Sequence, residues 1–205
     1  MKEPLAKLAP PTATDNKDHI VSRFALAVSQ NINATINRID PAEFDAVAQL
    51  MADPVRALYV LGGRITRSNA HYFFNHLQII RPGVHLLDSS PSVWPQSLLD
   101  MDENATLIVF DIRRYEKELQ HLASLVVGQG ANIVLFTDQW GSPIEKYASY
   151  TFRTSVEVPS SWDSTLAINF LIETFVAEIQ TLYSSTDRIT ALEQMIGESR
   201  IFRSN

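Results

Sequence analysis

The 205-residue chain is 45% hydrophobic, carries 17 Lys and Arg against 23 Asp and Glu for a net charge of −6, and has no cysteine. That is enough apolar material for one α/β domain with a helical appendage, while the acidic balance argues against a broad nucleic-acid footprint, which needs clustered cations. Disulfides, thiolate metal ligands and a cysteine nucleophile are excluded, and no apolar stretch reaches the length of a membrane span.

Residues 1–16 carry Pro4, Pro10 and Pro11 and little periodicity, with Pro, Asp and Asn where a secretory signal needs an apolar core, and read as a flexible leader of a soluble cytoplasmic protein. From Lys17 to Arg38, Ile20, Phe24, Ala27, Val28, Ile32, Thr35 and Ile36 recur at helical spacing, with Asp15 or Asn16 as the cap. Pro41, at a first helical position behind Asp40, opens a second helix that Pro54 ends. Residues 17–53 therefore form an N-terminal helical extension, and 54–205 the main domain. There, strands are predicted at Ala57–Leu61, Val84–Leu87, Ala105–Phe110, Asn132–Phe136 and Tyr150–Arg153. Helices are predicted at Ser68–Ile80, Tyr115–Gly128, a short turn near Ser142–Ala148, a long helix from Trp162-Asp163-Ser164 to Leu182 capped by Asp163 or Ser164, and Asp187–Glu198. Such alternation implies parallel strands joined by right-handed crossovers. The expected fold class is α/β, a doubly wound, mainly parallel five-stranded sheet flanked by helices. The apolar face of the long helix exceeds what one sheet face needs and is assigned to a two-fold contact.

In open parallel sheets the ligand crevice lies outside the carboxyl ends of the strands, which directs attention to the loops after Leu61, Leu87, Phe110 and Phe136. The first reads Gly62-Gly63-Arg64-Ile65-Thr66-Arg67-Ser68. Its glycines allow close backbone approach, the following helix start favours negative charge, and Arg64 and Arg67 supply guanidinium forks for phosphate or carboxylate. It is equally readable as a tight turn with two solvated arginines. After Phe110 come Asp111, Arg113 and Arg114, an acid and two adjacent cations able to fork onto an anionic oxygen, or a local surface pair of little weight. After Phe136, Thr137 and Asp138 are candidates for ligand hydroxyls and Trp140 for stacking on a sugar ring, while Ser142-Pro143 reads as a helix cap. His19, His71, His76, His85 and His121 show no metal spacing. No P-loop lysine, nucleophile elbow or complete dinucleotide fingerprint is present; Asp88 alone sits near a ribose-binding position. No cofactor is expected.

Taken together these loops resemble the sugar isomerase (SIS) domain, and specifically the effector domain of RpiR/MurR-type bacterial transcription regulators, from about Ser22 to Leu182. In that family a helix pair precedes a strand ending in Gly-x-Gly-x-Ser, here Gly62-Gly63-Arg64-Ile65-Thr66. A second phosphate loop, Ser-x-Ser-Gly-x-Thr, falls at Asp111-Ile112-Arg113-Arg114-Tyr115-Glu116, and a third segment, Thr followed by Ser-Pro, at Thr137 to Ser142-Pro143. Arg64 replaces a glycine, Thr66 a serine, and the second loop has exchanged hydroxyls for Asp111 and arginines. The resemblance implies a flavodoxin-like SIS fold, a sugar-phosphate ligand and a homodimer. It also implies DNA contact only through a helix-turn-helix head expected ahead of residue 17 and not present in this chain. The departures widen the ligand to a small anionic carbohydrate derivative, a sugar phosphate or sugar acid.

The leading expectation is a non-catalytic ligand-sensing domain of an RpiR-type regulator, with the Lys17–Arg38 helix as the link to the DNA-binding head. The alternatives are an aldose-ketose phosphosugar isomerase, for which Glu173 and His71 are the acid/base candidates, and an interaction scaffold with a vestigial pocket.

Overall fold

The computed structural model describes residues 19–199; the leader and its capping candidates Asp15 and Asn16 lie outside them. Helix α1 (Ile20–Ile36) is capped by His19, whose Nδ1 accepts from the Val21 N–H at 3.2 Å. Helix α2 (Pro41–Ala52) opens as the sequence predicts, with Asp40 accepting from the Ala42 N–H at 2.9 Å.

Five parallel strands follow: β1 (Ala57–Gly62), β2 (Val84–Leu86), β3 (Ala105–Asp111), β4 (Asn132–Asp138) and β5 (Tyr150–Thr154), in the order β2-β1-β3-β4-β5. β1 and β3 run side by side from Ala57 against Ala105 to Gly62 against Phe110. The chain reverses its winding between them, so their carboxyl ends form the switch point at which ligands of doubly wound sheets bind. β3 and β4 are buried on both faces, which is why they read as continuous apolar runs rather than alternating ones.

Side chains alternate between two cores. Leu58, Val60, Ile108, Phe110, Val134, Phe136 and Phe152 meet α2, α3 (Arg67–Ile80) and α6 (Leu166–Leu182). Tyr59, Leu61, Leu107, Val109, Ile133 and Leu135 meet α4 (Trp94–Leu98) and α5 (Lys117–Gly128). A last helix, α7 (Asp187–Ser199), packs on α3, where Arg188 Nε donates to the Gln78 carbonyl at 2.7 Å. These seven helices and five strands are the regular elements of the described residues, besides 3-10 turns at Pro91–Val93 and Pro143–Lys146.

Three local readings change. The α4 turn, absent from the sequence reading, forms because Trp94 is buried and its Nε1 donates to the Asp88 carbonyl at 2.7 Å. α6 begins at Leu166, and of its two predicted caps Ser164 Oγ accepts from the Leu166 N–H at 3.3 Å while the Asp163 carboxylate bonds away from its own helix. Its apolar residues Ile168, Leu171, Ile172, Phe175 and Ile179 are consumed within this chain, against α1, α2 and α3, rather than left for a second copy. At the opposite pole from the switch point Arg81, fully buried, donates to the carbonyls of Met51 (2.6 Å), Arg56 and Pro82 (3.0 Å), tying the end of α2 and the entry to β1 to the end of α3.

Candidate functional site

The two loops at the switch point are fastened to each other by backbone and side-chain hydrogen bonds. Gly63 N–H and Thr66 Oγ1 both donate to the Phe110 carbonyl, at 3.0 and 2.6 Å, so the buried Thr66 anchors the first loop to the end of β3. Gly62 has to be glycine: a Cβ there would overlap the backbone of Thr66 and Arg67. The Arg64 N–H donates to Glu116 Oε1 at 2.5 Å, which brings the far end of the second loop across to the first.

Between the loops lies a cavity of about 270 Å³, walled by Gly63, Arg64, Thr66, Asp111, Arg113, Arg114 and Glu116 and completed by Ser161, Trp162 and Asp163 from the segment ahead of α6. Arg113 is held on three sides. Its N–H donates to Asp138 Oδ2 at 2.6 Å, its guanidinium donates to Asp163 Oδ1 at 2.6 Å, and the same guanidinium lies 4.2 Å above the centre of the Trp140 ring. The Arg113 and Asp163 side chains are only 5% and 15% exposed. Arg114 is exposed and adopts a left-handed backbone, φ 69°, at the place of the glycine in Ser-x-Ser-Gly-x-Thr.

Asp138, fully buried at the end of β4, organises the floor without lining the cavity: beyond the Arg113 N–H it accepts from Tyr115 Oη at 2.7 Å and the Trp140 N–H at 3.0 Å. Burial and the adjoining Asp138 push the Tyr115 phenol far up, so it remains a donor. Asp111 Oδ2 accepts from Ser142 Oγ at 2.6 Å, and Ser142 in turn caps the following turn through the Ile144 N–H at 3.1 Å. Burial raises the Asp111 carboxyl to about 6, with Glu116 and Asp138 adding repulsion that the Ser142 hydroxyl and a Glu116 backbone contact partly offset.

The residues singled out from sequence thus fall into three places. Gly63, Arg64, Thr66, Asp111, Arg113 and Arg114 surround the cavity. Gly62 and Arg67 line a neighbouring depression beside β2 with His71 and Asp88, and Ser68 Oγ donates to the Ile65 carbonyl at 2.9 Å. Thr137 and Asp138 are buried behind the wall, where Trp140 reaches the site only through Arg113. Glu116, Trp162 and Asp163 were not among them. For Asp163 the sequence signal is that of a helix cap, and its partner lies 50 residues away, beyond any local pattern. Of the acid/base candidates, Glu173 accepts from Tyr72 Oη at 3.0 Å on the outer side of α6, and neither it nor His71 lines the cavity.

A family model described as SIS domain matches residues 53–178. No curated protein matches the sequence. Among solved structures the chain is similar to the sugar isomerase domain of an RpiR transcription factor from Sphaerobacter thermophilus, with a TM-score of 0.76 and 16% identity over 88% of this chain and 99% of that one. It is similar to the Vibrio vulnificus NanR protein complexed with ManNAc-6P, with a TM-score of 0.75 and 14% identity over 91% and 72%. It also resembles a phosphoheptose isomerase from Francisella tularensis, with a TM-score of 0.59 and 14% identity over 83% and 96%. At such identities the likeness speaks for the fold.

Proposed function

This chain belongs to the SIS domain family, and from that premise we propose that it is the ligand-sensing domain of an RpiR-type transcriptional regulator. Its ligand is a small carbohydrate derivative with an anionic group, a sugar phosphate or sugar acid, held at the switch-point cavity. It acts in the cytoplasm as a homodimer and reaches DNA through a helix-turn-helix head joined ahead of α1.

The observation that carries this reading is the course of residues 155–163, which connect the cavity to α1. At one end Trp162 and Asp163 form the cavity wall. At the other, the Ser155 N–H donates to Thr35 Oγ1 at 3.1 Å, Arg38 donates to Ser155 Oγ at 2.8 Å, and Asn31 Nδ2 donates to the Glu157 carbonyl at 2.8 Å. The Ser164 N–H returns to the Val156 carbonyl at 2.8 Å, closing the segment into one strap. An anion that draws Arg113 from Asp163 bears directly on the strap, and hence on the helix that leads to the proposed head. Differential affinity for the two strap positions is what a sensor requires.

The similar NanR protein, whose structure holds ManNAc-6P, supports a phosphorylated sugar as ligand class. The second reading, an isomerase, is favoured by Asp111, a carboxyl in the cavity wall that burial pushes up to about 6. Against it, Asp111 spends an oxygen on Ser142, and Glu116 and Asp163 are bonded to Arg64 and Arg113.

The test is a thermal-shift screen of sugar phosphates and sugar acids with the whole chain, Arg64→Ala and Arg113→Ala. A ligand at a hundred times its dissociation constant adds about 2.7 kcal/mol, which moves the midpoint of a chain this size by roughly 5 to 10 °C. A shift in the parent that both variants lose is expected. Turnover of any of these sugars would transfer the conclusion to the isomerase reading, and no shift with any anion would overturn both.

A further inference from the structure

We propose that Glu116 is a built-in competitor for the ligand's anionic group and so determines which anions the cavity accepts; this rests on the anion-sensing reading above. Each of the two loops at the switch point turns a backbone N–H toward an acceptor, as an anion cradle does. Here both are already taken by carboxylates of the same chain: Arg113 N–H by Asp138 at 2.6 Å and Arg64 N–H by Glu116 at 2.5 Å. The two carboxylates differ in kind. Asp138 is fully buried and accepts three hydrogen bonds, so it belongs to the floor. Glu116 is half-buried, borders both the cavity and a further depression lined by Ser89, Pro91 and Trp94, and reaches the first loop through its bond to the Arg64 N–H.

Two further features place the Glu116 carboxylate in the position of a ligand group. Glu116 stands at the cap position of α5 with an extended backbone, φ −84° and ψ 128°, yet its side chain makes no capping bond to its own helix and crosses to the opposite loop instead. It lies against Gly63, where an added Cβ would stand 3.1 Å from Oε1, so the glycine leaves room for an oxyanion at the backbone. Anything anionic that enters has to displace this carboxylate and then tolerate its charge. A bare anion gains only the vacated donor and the exposed arginines. A sugar phosphate or sugar acid adds the contacts of its hydroxyls and ring with Trp162, Ile65 and Asp163, all of which line the cavity. The competitor therefore makes binding depend on the carbohydrate as well as on its charge.

Calorimetric titration of the whole chain, Glu116→Gln and Glu116→Ala with inorganic phosphate and with a panel of hexose 6-phosphates tests this. Cooperative melting of each variant establishes that it is folded, and the alanine variant stands in if the glutamine variant is not. The expected result is at least a tenfold gain in affinity for inorganic phosphate on removing the charge, with a smaller gain for any sugar phosphate the parent binds, so that the preference for sugar phosphate over phosphate falls. Damage to the loop alone would lower affinity for both. If the parent binds a sugar phosphate and neither variant gains affinity for phosphate, Glu116 is not a competitor while the sensing reading stands. If none of the three folded proteins binds any of these anions, the phosphate-sensing form of that reading fails and the role of Glu116 with it.

Discussion

The charge of Asp111 is costly where it sits. Asp111 is 2% exposed, and burial, which disfavours the charged form, pushes its carboxyl up to about 6 from its ordinary 3.8. The folded state thus holds the Asp111 proton more tightly than the unfolded state does. Its contribution to stability is present in full below about pH 4, is lost as pH rises through about 6, and is flat beyond. At neutral pH the charge costs on the order of 3 kcal/mol. Asp111→Asn keeps an acceptor for Ser142 Oγ and removes the charge. Its advantage over the parent in urea melts is expected to grow between pH 4 and 6 and then level off; a pH-independent difference would show that Asp111 is not the titrating group. Arg113 illustrates what sequence leaves legible at this scale. Its position at the mouth of a central strand marks it as a site residue, but the Asp163 and Trp140 contacts that orient it come from loops 50 and 27 positions onward. No local spacing records contacts of that kind.

At the scale of elements, the strap of residues 155–163 has few neighbours of its own kind and is held by side chains from elsewhere. Thr35, fully buried in α1, donates to the Asn31 carbonyl at 2.8 Å and accepts from the Ser155 N–H; Gln139 Oε1 accepts from the Val156 N–H at 3.1 Å. Thr35→Ala leaves the Ser155 N–H without that acceptor and is expected to cost about 2 kcal/mol in a urea melt, together with faster amide exchange at Ser155. Unchanged exchange there would mean that the strap is secured from the sheet side alone. The regular elements were readable because their apolar periodicity survives in the sequence: Asp40-Pro41 marks the start of α2, and the apolar runs ending at Leu61, Phe110 and Phe136 mark β1, β3 and β4, which extend one or two residues further. The α4 turn was not, since it is five residues long, contains Pro95, follows the Pro91–Val93 turn directly and is anchored in the core by Trp94. The start of α6 was misplaced for a related reason. Trp-Asp-Ser looks like a cap; Ser164 supplies it to Leu166, while a tertiary ion pair takes Asp163 away.

For the whole molecule, the two cores and the order β2-β1-β3-β4-β5 fix the cavity at one pole and leave α1 as an outer element touching α6 and β5. Along α1 an open apolar groove runs past Ile20, Val21, Phe24 and Val28 to Leu166, with Val21 67% and Leu166 45% exposed. The proposed homodimer is expected to bury this groove. Sedimentation of the whole chain should then report a dimer, and Val21→Glu a monomer that melts no lower at the same low concentration; a parent that sediments as a monomer would remove the dimer from the proposal. The margins of the sheet bear on how copies can meet at all. β2 is three residues long, and along the outer margin of β5 the Thr151 N–H already points to Glu43 Oε1 at 3.4 Å while Arg153 and Glu145 pair in solvent at 2.6 Å. An incoming strand finds few open amides to zip onto at either margin. Copies are left to associate through helix side chains, and fibrillar growth by backbone templating has little in this sheet to start from.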